Sequence, residues 1–196
     1  MKTVLKRVIM ISGKVNKSNE SIVDFGIKRL YGFVVDLAWV LTVSFAFKNV
    51  LAGLLYYLGY SFLRIYAGGY HAKTEKMCYI LSYLSLALSL FLLFVCRIPE
   101  KIILDGAIFC YLLILLFSPF EHKNRPLSKK EFKIFRLRVY LISTIEIVLF
   151  MIFIYTDLKI YAKSIFVALF FVASTLLAAI YEKTKGEDAN DKNWNM

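Results

Sequence analysis

A histidine and a cysteine lie seven residues apart in the stretch Arg-Ile-Tyr-Ala-Gly-Gly-Tyr-His-Ala-Lys-Thr-Glu-Lys-Met-Cys, residues 64–78. A nucleophilic thiol needs a base to accept its proton, and imidazole titrates near neutral pH, so His71 and Cys78 form a minimal nucleophile pair. On one continuous helix their Cα atoms would be about 10 Å apart, which is too far for a hydrogen bond. The segment must therefore turn back, and Gly68-Gly69 together with a break near Lys73-Thr74 could provide the turn.

The cysteine is expected at the start of a helix. Thr74 is a suitable N-cap, which places Cys78 about one turn inside the helix N-terminus. The helix dipole and nearby basic side chains favour a thiolate there. Those basic residues are Arg64, Lys73 and Lys76.

Each member of the pair also has an ordinary interpretation. Cys78 can be a small residue at the start of a membrane span, as Cys96 and Cys110 are expected to be, and His71 can be a solvated loop histidine. The three cysteines form no CxxC pair and no zinc spacing, so neither a disulfide framework nor a metal site is expected. Taken alone, the residue types leave the two interpretations of the pair open.

The elements that must hold this segment are membrane-spanning helices. Hydrophobic residues make up 59% of the 196 residues, and charged residues only 20%. No alternation of strand type appears, so the composition predicts an all-α polytopic membrane protein with a single domain, residues 1–196. The six predicted spans are about 31–47, 49–66, 77–96, 102–118, 139–156 and 160–181.

Basic residues predict the orientation of these spans. Twenty of the 25 Lys and Arg residues fall in segments on the side of the two termini. By the positive-inside rule this side is the cytoplasm, so we expect a bacterial cell-membrane protein with both termini inside. The five basic residues on the other side are Lys48, Arg97, Lys101, Lys159 and Lys163.

The two terminal segments are expected to be cytoplasmic. Within residues 1–28 the apolar side chains Val4, Leu5, Val8 and Ile9 fall on one helical face, which predicts an amphipathic helix in the inner interface. Residues 182–196 are expected to form a tail. The net charge of +11 then indicates contact with anionic membrane lipid, and no nucleic-acid partner is expected.

An acid that orients the histidine is not identified by spacing alone. Glu75 is the nearest candidate, and Asp36 lies about a turn and a half inside the first predicted span. Glu146, in the fifth span, is ambiguous in the same way. Ionisable groups inside a membrane are costly and usually paired, so for Asp36 and Glu146 structural pairing ranks ahead of catalysis.

The segment between the fourth and fifth spans is strongly basic. Its first role is to anchor span five on the inner side, and its second candidate role is to bind an acidic part of a substrate. Ser128 followed by Glu131 predicts a capping box and therefore a helix start. The candidate substrate-binding residues are Lys123, Arg125, Lys129 and Lys130.

The run RIYAGGYHAKTEKMC resembles the motif of the accessory gene regulator B (AgrB) family of bacterial membrane peptidases. The segment 118–131, with Asn-Arg-Pro-Leu-Ser, is similar to a second family motif. The resemblance implies that Cys78 is the nucleophile and His71 the base, and that Arg64, Gly68 and Gly69 shape the site.

The same resemblance implies the reaction and the partners. The substrate would be the small precursor of a quorum-sensing signal, with an amphipathic N-terminal helix and an acidic tail. Cleavage near the C-terminal end of the precursor would leave a thioester that its own cysteine captures as a thiolactone. A homodimer is also implied, and no cofactor is expected.

Two other classes of protein remain. A small transporter or channel would use Asp36, Asp105 and Glu146 along a path, with Cys78 incidental. A metal-binding membrane protein would use His71, Cys78 and His122, although this set lacks an HxxH or CxxC anchor. Loss of function in a Cys78→Ser protein would argue against the transporter.

Overall fold

The computed structural model describes residues 20–70, 74–121 and 127–194. These residues form helices joined by short loops, and no strand occurs among them, which confirms the predicted all-α class. The greater part of the predicted amphipathic arm, residues 1–19, lies outside the described residues. The helices are α1 (Glu20–Ala46), α2 (Val50–Ala67), α3 (Glu75–Phe94), α4 (Glu100–Phe117), α5 (Lys129–Tyr155) and α6 (Lys159–Trp194).

The six helices occupy the six predicted stretches. In the described part of the chain, five of them (all but α4) are long and apolar enough to cross a membrane. Helix α4 has 18 residues and carries Glu100, Lys101 and Asp105 near its start. Leucine side chains on the outer surface, such as Leu116 with 74% of its surface exposed, are typical of a surface that contacts membrane lipid. The bundle is therefore a polytopic membrane protein.

Helix α6 is the centre of the bundle. It packs against α2, α3, α4 and α5, whereas α1 packs against α2. Of its apolar stretch, 61% is buried, against 33% or less in each of the other four candidate spans. Backbone helix continues from the predicted sixth span through the predicted tail to Trp194. The other helices thus depend on α6 for their relative positions.

The loops fall at two ends of the bundle. At one end the rings of Phe47 and Phe94 stack with centroids 5.0 Å apart, and Lys159 pairs with Glu100 at 2.5 Å. This end collects the connections α1–α2, α3–α4 and α5–α6. The connections α2–α3 and α4–α5 therefore lie together at the opposite end, where the candidate residues fall.

Close packing of α4 on α6 predicts a measurable stability effect. A Cβ atom at Gly106 would stand 2.7 Å from Cε2 of Phe166, whereas one at Gly32 would meet no neighbour within 4 Å. Both alanine substitutions gain helix propensity, but only Gly106→Ala overpacks an interface. We expect Gly106→Ala to be less stable than Gly32→Ala by about 1–3 kcal/mol in thermal unfolding of the detergent-solubilised protein. Equal stability of the two variants would contradict this packing.

Candidate active site

The α2–α3 connection begins with a turn at Gly68-Gly69 that Arg64 holds in place. Arg64 lies in the last turn of α2, and its guanidinium donates hydrogen bonds to the carbonyl oxygens of Gly68 and Tyr70, the latter at 2.7 Å. Two nitrogens of one planar group thus bind two carbonyls of the chain that follows. Arg64 therefore fixes the backbone of residues 68–70 next to the C-terminal end of α2.

Both glycines are required by backbone angles and by space. Gly68 has φ +78° and Gly69 has φ +129°, a region that residues with a Cβ atom rarely adopt. A Cβ atom at Gly68 would stand 2.5 Å from the carbonyl oxygen of Phe120, and one at Gly69 would collide with the guanidinium of Arg64. The residue types predict a turn at these glycines, but they carry no information on which residues pack against them.

Two backbone hydrogen bonds attach this turn to distant parts of the chain. The Tyr70 N–H donates to the Thr175 carbonyl on α6 at 2.9 Å, and the Phe120 N–H donates to the Ala67 carbonyl at 2.9 Å. The end of α2, helix α6 and the segment after α4 therefore meet at one point. Sequence reasoning missed Thr175 and Phe120 because they contribute main-chain groups, which leave no signal in residue type.

Cys78 lies in the first turn of α3, as predicted. Thr74 caps this helix, since its side-chain oxygen accepts from the Met77 N–H at 3.3 Å and its carbonyl accepts from the Cys78 N–H at 3.0 Å. The Cys78 thiol is free and partly exposed. A thiol in this place has both solvent access and the positive end of a helix dipole.

His71 lies outside the described residues, with Ala72 and Lys73. The flanks on both sides are described: Tyr70 is bound to α6, and α3 starts at Glu75. The expectation that the segment does not form one continuous helix is therefore confirmed, whereas residues 71–73, where the chain would turn back, lie outside the described residues. Three residues separate the fixed Tyr70 from Thr74, so His71 directly follows an anchored position.

The candidate acids occupy different depths of the bundle. Asp36 on α1 is partly buried. Glu146 on α5 is 6% exposed and lies against Gly59 of α2. The side chain of Glu75 is outside the described residues. Which acid orients His71 stays a prediction.

The basic segment before α5 is described from residue 127 onward. Lys123 and Arg125 are outside it, whereas Lys129 and Lys130 are exposed in the first turn of α5. The predicted capping box is confirmed. Ser128 and Glu131 exchange hydrogen bonds, with the Ser128 N–H donating to the carboxylate at 2.8 Å and the Glu131 N–H to the hydroxyl at 3.2 Å. Lys129 and Lys130 therefore lie at the same end of the bundle as Cys78.

Metal ligation finds no support in the part of the chain that is described. There, no three His, Cys, Asp or Glu side chains form a group that could hold a metal ion. His71 and His122 of the proposed metal set lie outside the described residues, so that alternative is not tested by the geometry.

Comparison with known proteins gives a consistent result. The family model for accessory gene regulator B (AgrB) matches residues 3–176. The chain is 26% identical over 174 residues to AgrB-like protein 2 of Clostridium perfringens strain 13, covering 82% of this chain and 81% of that protein. It is 25% identical over 135 residues to an AgrB-like protein of Clostridium perfringens strain SM101, covering 63% of this chain and 62% of that protein. No solved structure gives a significant match.

Proposed function

This chain belongs to the accessory gene regulator B (AgrB) family, which acts in quorum sensing, and we propose that it is a membrane cysteine endopeptidase that processes the precursor of a signal peptide. The observation that carries the proposal is the Arg64-held turn. It ends at Tyr70, one residue before His71, and leads directly into the helix whose first turn holds Cys78. His71 and Cys78 thus both follow this turn in the chain, between the end of α2 and the first turn of α3.

The first chemical step uses the pair as base and nucleophile. His71 takes the proton of Cys78, and the thiolate attacks a carbonyl carbon near the C-terminal end of the precursor. The carbon–sulfur bond forms, the peptide C–N bond breaks, and the proton passes from His71 to the leaving amine. A thioester between the N-terminal part of the precursor and Cys78 remains.

Backbone N–H groups are the candidates for stabilising the oxyanion. The N–H groups of Met77 and Cys78 both donate to Thr74, so they are already bonded. An oxyanion at this helix terminus would therefore use the N–H groups that precede them, those of Glu75 or Lys76. We therefore expect the scissile carbonyl to bind beside the start of α3.

The second step converts the thioester to a ring. A cysteine of the bound precursor attacks the thioester carbonyl, its proton goes to His71, and the thiolate of Cys78 is released. The product is a thiolactone, and no water is consumed. Exclusion of water at the membrane face favours this outcome over hydrolysis.

The basic α4–α5 segment is proposed to bind the acidic tail of the precursor. The segment after α4 contacts the glycine turn through Phe120, and Lys129 and Lys130 are exposed at the same end. Together with Lys123 and Arg125 they would hold a negatively charged tail beside the cleaved bond. We further propose anionic lipid as a partner, a homodimer as the assembly, and the cytoplasm as the compartment of both termini.

The product of a reconstituted reaction tests the proposed function. Purified protein in lipid vesicles is incubated with a synthetic precursor peptide that has an amphipathic N-terminal helix, a cysteine-containing core and an acidic tail, and the peptides are analysed by mass spectrometry. We expect two fragments, with the N-terminal one lighter by one water than the hydrolysed acid. An intact precursor would contradict the peptidase, and a linear N-terminal acid would contradict the cyclisation step.

The glycine turn gives a separate prediction. Gly68→Ala places a methyl group against the Phe120 carbonyl at a positive φ, so the turn and His71 must shift. Because misplacement by about 1 Å can cost about 100-fold in rate, we expect kcat for precursor cleavage to fall by at least about tenfold. Gly32→Ala, which meets no neighbour within 4 Å, should leave kcat unchanged. Normal cleavage by a folded Gly68→Ala protein would show that the turn does not position the site.

A further inference from the structure

A groove of about 450 Å³ runs along the outside of the bundle between α2, α5 and α6, away from the Cys78 segment. Its walls are apolar apart from two charged residues, Arg138 and Glu146. On α5, Arg138 stands nearest the end that carries the glycine turn, Glu146 lies farther in, and Leu149 is beyond it. The groove opens to the surface that faces lipid.

Glu146 is a buried carboxyl group in the wall of this groove. It is 6% exposed, and neither of its oxygens has a hydrogen-bond partner among the described residues. Gly59 makes the space for it, because a Cβ atom there would stand 3.1 Å from Oε1. A buried carboxyl group without a partner is costly in an apolar environment, so a ligand that brings a donor to this point would bind favourably.

The dimensions of the groove define its occupant as a single chain. From Arg138 to Leu149 an ideal helix advances about 16 Å, so a space of about 450 Å³ spread over that length is a slender groove. A helix of the same length, about 10–12 Å wide with its side chains, takes up more than about 1,000 Å³ and does not fit inside the groove. One extended alkyl chain does.

Arg138 supplies an anion-binding group at the cytoplasmic end of the groove. Its guanidinium donates one hydrogen bond to the Tyr66 hydroxyl at 3.1 Å and lies 4.9 Å from the centre of that ring. The side chain is exposed, and a guanidinium has five N–H donors, so a carboxylate can bind to it in addition. Arg138 and Glu146 are eight residues apart on α5, which is about 12 Å along the helix axis.

We propose that this groove is a binding site for a free long-chain hydroxy acid, with its carboxylate on Arg138 and a mid-chain hydroxyl donating to Glu146. Because Arg138 and Glu146 are about 12 Å apart along the axis of α5, the hydroxyl must lie several carbons from the carboxylate, in the middle of the chain. The hydroxyl supplies a hydrogen-bond donor to Glu146, and the alkyl chain covers the leucine and isoleucine walls. The site is separate from the proposed peptidase chemistry and does not depend on it.

Binding of three fatty acids to the full-length protein in nanodiscs tests the proposal, read by native mass spectrometry. The probes are 10-hydroxystearate, 2-hydroxystearate and stearate. We expect the first to bind about tenfold more tightly than the other two, because only its hydroxyl reaches Glu146. This comparison needs no variant. Equal binding of the three acids would overturn the proposal.

Variants assign the two ends of the ligand. The Glu146→Leu variant should bind the three acids with equal affinity, and its affinity for stearate should be unchanged. The control is Asp105→Leu, which removes an exposed acid of α4 and should keep the tenfold preference for 10-hydroxystearate. The Arg138→Gln variant should bind all three acids more weakly and keep the preference for 10-hydroxystearate. A preference for 10-hydroxystearate that survives Glu146→Leu would overturn the proposal. The proposal would also be overturned if a phospholipid, or a second copy of the chain, stayed bound in the groove and the hydroxy acid did not displace it.

Discussion

Replacing Cys78 by serine should abolish precursor cleavage, with a fall in kcat of at least about 10⁴-fold. A serine hydroxyl beside an imidazole with no fixed third group is a much weaker nucleophile than a partly ionised thiol. The loss should be chemical, because Cys78 is partly exposed at a helix start and its backbone N–H bond to Thr74 does not involve the side chain. Cleavage is measured with the purified protein in vesicles.

The acyl-enzyme itself should be trapped with an altered precursor. If the ring-forming cysteine of the precursor is changed to alanine, cleavage should proceed once and leave the N-terminal fragment attached to Cys78, because no internal thiol can capture it. The adduct is detected by mass spectrometry and should be released by neutral hydroxylamine. Cys96→Ser and Cys110→Ala should behave like the parent, since Cys96 contributes its carbonyl to Lys163 and Cys110 is buried in α4. Cleavage that survives Cys78→Ser would exclude this nucleophile and favour the transporter class.

Replacing His71 by alanine should also stop cleavage, with a loss of about 10²–10⁴-fold, the range for removal of a general base. Alkylation of Cys78 by a small thiol reagent reports on the base without requiring a substrate. We expect it to be slower in His71→Ala around neutral pH, because the thiol then lacks its proton acceptor. His122→Ala should alkylate like the parent. Equal alkylation rates in the parent and His71→Ala would show that His71 does not activate the thiol.

Local signals in the sequence were sufficient for several elements of the site. Thr74 and Ser128 are helix caps whose partners lie three residues away, so their geometry follows from short spacing, and both are found as predicted. The bend at Gly68-Gly69 was likewise expected from residue type. Helix class and approximate spans followed from composition.

Contacts between distant residues could not be predicted in the same way. The attachment of Tyr70 to Thr175 joins main-chain groups more than a hundred residues apart, and any residue type offers the same N–H and C=O groups. The apolar groove depends on how α2, α5 and α6 pack against one another. From the sequence alone, Glu146 indicated only an acidic residue whose burial in the membrane is energetically unfavourable. Periodicity within one helix carries no information on that arrangement.

The position of Thr175 in the last helix has a consequence for biogenesis. The chain emerges from the ribosome with the cysteine segment long before α6, yet the turn beside that segment is fastened to an α6 carbonyl. A nascent chain that has inserted only its first five helices therefore carries Cys78 without the hydrogen bond that attaches the turn to α6. If the proposed function holds, we expect cleavage activity to arise only after α6 has inserted, so that incomplete chains are inactive.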